Sequence, residues 1–290
     1  MNATDDMTET KADVGGGASD LLRQIGQSKL AVFGAFALLF WVICAAFGYL
    51  MVPFDPLALD PLRSFAPPSA EHFFGTDALG RDVFSRVIVG SREIFLVAPI
   101  ATLLGVVMGT MVGLIMGYFR GPIDAVLGRL MDAVISLPTV VVALVALAAL
   151  GPSKITIVLV VGFVFLPYVA RTIRTAVLHE RELEYIEAAK IRGENALYIM
   201  TVEILPNVFS LVVVEATVRL GYAIFAVTTL SFIGFGIQPP SPDWGLAIFE
   251  GYGFLAAGFW WPTLFPALAI ASLVVSVNLL ADGIAETRGE

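Results

Sequence analysis

Residues 30–54 read LAVFGAFALLFWVICAAFGYLMVPF, without one Asp, Glu, Lys or Arg. A bilayer core about 30 Å thick is crossed by roughly 20 mostly apolar residues in a helix, and this run is long enough. Further charge-free runs follow at Ile94–Phe119, Ala133–Ser153, Ile155–Ala170, Leu220–Pro242 and Gly251–Ala281. Over 290 residues, 58% are apolar and 14% charged, against about 45–50% and 25% in soluble domains. Strands of a membrane barrel alternate apolar and polar positions over about 10 residues, whereas Val140–Leu150 and Leu268–Val275 are almost continuously apolar. The reading is an all-α integral membrane protein with six transmembrane helices near 30–52, 94–117, 133–150, 154–173, 209–235 and 262–281.

The sequence divides into residues 1–20, a disordered acidic tail too poor in apolar groups to order; residues 21–93, an anchor helix and an outer loop; and residues 94–290, the core. Asp5, Asp6 and Glu9 stand where a cleavable signal needs a basic stretch, so the first helix is read as a retained anchor. Basic residues near helix ends favour the cytoplasmic side. With both termini inside, Lys11, Arg23, Lys29, Arg120, Arg129, Arg171, Arg174, Arg181, Lys190, Arg192 and Arg288 lie inside, and Arg63, Arg81, Arg86, Arg92 and Lys154 outside. All of those outer residues but Lys154 lie in 53–93, where Val83, Phe84, Val87 and Ile88 recur at helical spacing. That pattern is expected to be a short amphipathic elbow at the membrane interface.

Cys44 is the single cysteine, so no intrachain disulfide forms. A net charge of −8 argues against a nucleic-acid partner. The motif G-x-x-x-x-G-K-[ST] that cradles nucleotide phosphates is absent, as is any Gly-Lys pair. His72 and His179 fall on opposite sides of the membrane in this topology, leaving no metal site and no catalytic cluster.

The stretch Arg171–Asn207 mixes both charge signs, as a solvated connector does. Its apolar positions Leu183, Ile186, Ala189, Leu197, Ile199 and Met200 also fit two short helices around Gly193. Within it, EYIEAAKIRGENALYIMTVEILPNV (184–208) resembles the EAA loop of ABC importer permeases, with Glu187, Ala188, Ala189, Gly193, Leu205 and Pro206 at that family's spacing. FGTDALGRDVFSRVIVGSR (74–92) and LSFIGFGIQPPSPDWG (230–245) resemble the permease C subunits of dipeptide, oligopeptide and nickel importers. NLLADGIAE (278–286) resembles their C-terminal ending, departing from it at Ala281, Ile284 and Ala285.

The resemblance covers about residues 20–287 and implies a type I-like ABC importer permease with a cytoplasmic EAA coupling helix in the loop 175–208. Glu187, Ala188, Ala189, Lys190, Gly193, Leu205 and Pro206 would then couple to the ATPase. The implied assembly adds a homologous permease, two cytoplasmic ABC ATPase subunits that carry the ATP and Mg, and an extracytoplasmic substrate-binding protein. All sit at a bacterial inner membrane, the lipid bilayer being the remaining partner, and this chain binds no cofactor. Di- and oligopeptides are the implied cargo, with nickel complexes or glutathione as alternatives.

Glu215 and Arg219 share a face of the fifth helix, four residues apart. A charge at that depth marks a cavity lining, or the two neutralise each other and brace the helix; both readings stand. In the first, Thr228, Thr229 and Ser231 line the same path. Gly105, Gly109, Gly113 and Gly117 recur every fourth residue, the spacing of close helix packing in lipid. Gln238, Asp243 and Trp244 face the binding protein by resemblance, whereas Trp260 and Trp261 fit the membrane interface. A stand-alone secondary transporter would use Glu215 and Arg219 for protons, but the two halves show no self-similarity of the kind such folds carry.

Overall fold

The structure, a computed structural model, describes residues 29–286. The expected tail, residues 1–20, lies outside them, as do Lys11, Arg23 and Arg288. Among the described residues the chain is helical, with α1 Lys29–Met51, α2 Val83–Phe119, α3 Gly121–Ile135, α4 Thr139–Leu150, α5 Lys154–Glu180, α6 Glu184–Ile191, α7 Leu205–Phe232, α8 Trp244–Gly251 and α9 Trp261–Glu286. A turn at Ala196–Tyr198 and a π-helical stretch Ile199–Ile204 lead directly into α7. Five helices are long and apolar enough to cross a membrane, and a sixth crossing forms if the bent pair α3 and α4 counts as one span.

Short polar side chains start these helices where the sequence supplies them. Asp82 accepts from the Ser85 N–H at 2.8 Å to begin α2, and Ser153 accepts from Thr156 at 3.1 Å to begin α5. Each satisfies a backbone donor that would otherwise have no partner. α2 therefore begins at Val83 and not near 94. Its 37 residues reach about 55 Å, well past a bilayer core. The interfacial elbow expected at 83–91 is instead the first turns of α2, with Val83, Arg86, Val87 and Ile88 all buried. Its periodicity is real, but the apolar face meets protein rather than lipid. The expected span 133–150 is likewise broken: α3 and α4 meet at 87°, because Pro138 lacks an N–H and disfavours helical geometry at Leu137.

The glycine stripe fixes how α2 lies on α5. A Cβ at Gly105 would stand 2.8 Å from the Gly162 carbonyl oxygen, and one at Gly109 2.6 Å from Val169 Cβ. At Gly113 it would stand 2.8 Å from the Ala170 oxygen, and at Gly117 2.7 Å from Val177 Cβ. Numbers rise together on both helices, so α2 and α5 run parallel in direct backbone contact. The chain must recross between them, which α3 and α4 accomplish. The seam divides the apolar interior into two clusters, named outer and inner after the expected topology: the outer with Trp41, Val87, Val161, Phe165, Val227, Trp244 and Leu273, the inner built from Val169, Ile173, Val177, Ile186, Ala189, Ile199, Ile204 and Val208.

Candidate functional site

The inner cluster carries a small protruding knob. In α6, Ile186 and Ala189 are buried, whereas Glu187, Ala188, Lys190 and Ile191 are exposed. At 3.6 residues per turn, the i,i+3 pair shares one side and the others face outward. Ala189, expected at a partner surface, is therefore the residue that lets α6 settle onto its own chain. Gly193 closes the knob with φ +83°, and nothing lies within 4 Å of where its Cβ would be. Glycine is needed there for its backbone conformation and not for space. Asn195 then caps the next turn through Tyr198 N–H at 2.8 Å.

Leu205 packs against the inner cluster and Pro206 is exposed in the first turn of α7. Pro206 has no N–H to give, and the turn before it widens so that the Leu205 N–H reaches the Met200 carbonyl. Contacts that no periodicity announced hold the knob. The Tyr185 hydroxyl donates to Glu180 Oε1 at 2.5 Å and accepts from Asn207 Nδ2 at 3.0 Å. Arg192 meets Glu203 at 2.9 Å. Burial, then Glu180, push the Tyr185 hydroxyl above the usual tyrosine range, so it remains a donor.

In α7, Arg219 Nη2 sits 2.6 Å from Glu215, and its guanidinium lies 5.2 Å from the Tyr168 ring of α5 and 5.6 Å from the Tyr222 ring. A paired arginine stacked across a helix contact fits the bracing reading. Thr228 and Ser231 are not on an open path. Both are buried, and a Cβ on Gly245 of α8 would stand 2.7 Å from Ser231 Cβ and collide with the Thr228 carbonyl. Thr229 lines a small, largely apolar crevice with Thr139, Val140 and Phe165.

At the other end of the molecule, buried ions join the loop after α1 to α8. Arg81 contacts Asp77 at 2.6 Å and Glu250 at 2.5 Å. Arg86 lies 3.8 Å and 3.7 Å from the same two carboxylates and donates to the carbonyls of Pro56 and Ser241. His72 meets Asp82 at 2.8 Å. Trp244 Nε1 donates to the Val87 carbonyl at 2.8 Å, and Trp261 Nε1 to that of Thr76 at 2.9 Å. Asp243 and Trp244 are thus no outward-facing surface: both are fully buried, Asp243 as the cap of α8 through Leu246 N–H at 2.8 Å. Trp261 is also interior, leaving Trp260 as the exposed tryptophan of the pair. Gln238 remains exposed.

Burial raises the Asp243 carboxyl to about 6, against the helping bonds from Leu246 and Ser231. The unfolded chain ionises near 3.9, so between about pH 4 and 6 the folded state holds the extra proton. Stability should fall as pH rises through that window and stay level above it. Thermal unfolding in detergent from pH 4 to 8 should show this slope, and Asp243→Asn should flatten it. A wild-type protein with no slope contradicts the assignment.

Among the described residues no group of three or more His, Cys, Asp and Glu is placed to hold a metal ion. The described residues thus form a helical bundle with an exposed knob at one end and buried ion pairs at the other. Residues 109–287 match the binding-protein-dependent transport system inner membrane components. The chain belongs to that family. Residues 18–68 match the N-terminal transmembrane domain of oligopeptide transport permease C. Among its relatives, a probable D,D-dipeptide transport system permease protein of Escherichia coli (strain K12) is 35% identical, over 89% of this chain and 86% of its own length. A dipeptide transport system permease protein of Bacillus subtilis (strain 168) is 34% identical, over 91% and 83%. A di/tripeptide transport system permease protein of Pseudomonas aeruginosa (strain UCBPP-PA14) is 33% identical, over 90% and 88%. This binding-protein-dependent permease is a multi-pass inner membrane protein and a transport component, not an enzyme.

Proposed function

We propose that this permease moves di- or oligopeptides inward, paired with a homologous permease, above two ABC ATPase subunits that hold ATP and Mg and below an extracytoplasmic binding protein. Both chain termini are cytoplasmic in this reading. The peptide cargo is inferred from relatives named for dipeptide and di/tripeptide transport. The observation that carries the mechanism is the division within α6: Ile186 and Ala189 sink into the inner cluster while Glu187, Ala188 and Lys190 project from it. An ATPase cleft that grips the projecting half displaces the buried half, and the helices packed on it follow. Nucleotide binding then biases a two-state gate by its unequal affinity for the two arrangements. Gln238 is the outer residue retained for the binding protein.

The test is assembly and uptake. Glu187→Lys, which reverses the charge on the exposed edge of the knob, should reduce copurification of the ATPase subunits at least about tenfold, the loss of a charge-assisted hydrogen bond. The amount of inserted permease should not change. Unaltered copurification removes α6 from the docking surface, and uptake of a labelled dipeptide that continues without any ATPase subunit overturns the ATP-driven reading itself.

A further inference from the structure

α6 rests on the body of the chain through apolar contacts of Ile186 and Ala189, and such contacts are non-directional. They hold α6 down without fixing its register. Directional contacts come from Arg192, past the end of α6, and from within α6 from Tyr185: Tyr185 uses its hydroxyl hydrogen on Glu180, the last residue of α5, and its oxygen lone pair on Asn207, in the first turn of α7. Asn207 also donates to the Glu203 carbonyl at 2.8 Å, which orients its amide. Glu203 in turn receives Arg192 from beyond the end of α6. Three helices that separate at the inner face thereby meet at one hydroxyl.

We propose that Tyr185 is a positioning residue for coupling: with Glu180 and Asn207 it makes α5, α6 and α7 respond as one body when the knob is displaced. This rests on the reading of α6 as the ATPase-docking knob. Without the strut, α6 slides on its apolar seat and the ATPase cycle turns with less movement of the spanning helices.

The experiment uses the complete transporter in liposomes and follows copurification of the ATPase subunits, ATP hydrolysis, and uptake of labelled dialanine. Tyr185→Phe keeps the ring and removes the hydroxyl. It should assemble and hydrolyse ATP as the wild type does, while uptake per ATP falls about fivefold, the scale of one hydrogen-bonding group. Asn207→Leu should repeat that fall, and Glu180→Gln, which keeps an acceptor oxygen, should retain most of the uptake. The proposal is overturned if Tyr185→Phe transports at the wild-type ratio, if Glu180→Gln is as impaired as Glu180→Leu, or if Tyr185→Phe loses its ATPase subunits. Failure of the docking reading shows separately, as Glu187→Lys that assembles normally.

Discussion

Gly109→Leu will not accumulate as a folded permease. The glycine sits where a Cβ would stand 2.6 Å from Val169 Cβ and 2.8 Å from the Leu166 carbonyl oxygen. Neither neighbour is the flexible end of a side chain, so α2 and α5 must separate. Overpacking in a well-packed core costs about 1–3 kcal/mol. Here the separation also removes contacts made at Gly105, Gly113 and Gly117, so the cost should exceed about 3 kcal/mol, a large part of a typical stability. The measurement is the yield of monodisperse protein in mild detergent and its unfolding temperature. Gly128→Ala is the control: its Cβ would meet only Met116 Cε, at 3.7 Å, and alanine favours a helix by about 1 kcal/mol over glycine. If Gly109→Leu matches that control, the direct contact of α2 and α5 is wrong.

Asp77→Ala should be nearly as damaging, for an electrostatic reason. Asp77 accepts from Arg81 Nε at 2.6 Å and from the backbone N–H groups of Leu79 and Arg81 at 2.9 and 3.0 Å. Arg86 lies 3.8 Å away and is 3% exposed. Removing the carboxylate leaves two buried cations sharing Glu250, which is itself partly exposed. Breaking a buried pair on one side costs about 3–5 kcal/mol, and the remaining Glu250 places this case near the lower end. Unfolding in detergent should register the loss. A double variant, Asp77→Ala with Arg81→Ala, should recover part of it, because one uncompensated charge goes with its partner. Additive losses in the pair would show that the two residues do not interact.

The local features were legible because they depend on neighbours in sequence. Charge-free runs mark what a bilayer accepts, Gly193 marks a turn, and the four-residue glycine spacing marks a face meant for close approach. Boundaries were less legible. α2 was expected from 94, where the charge-free run begins, and the burial of Arg86 before it involves Glu250 far along the chain. For the same reason Asp243 and Trp244 read as surface groups. A polar capping residue and an indole look alike whether they face a partner protein or, as here, Leu246 and Val87 of the same chain. Ala189 shows the limit within the motif: its spacing marks the helix, while only the packing of Ile173, Val177 and Ile204 beneath it says which side is inward.

Hydrophobic transfer into lipid and helical periodicity act over one span at a time, so the sequence alone determined an all-helical membrane protein with a glycine turn at 193, and its resemblance to permeases came from motifs equally local. Which helix meets the glycine face, which charges neutralise Arg81 and Arg86, and which helices Tyr185 ties together were decided only by the tertiary structure. Deciding partners such as Val169 for Gly109 and Glu250 for Arg81 lie tens to hundreds of residues away, and contact energies between such distant groups exist only once the chain has closed on itself.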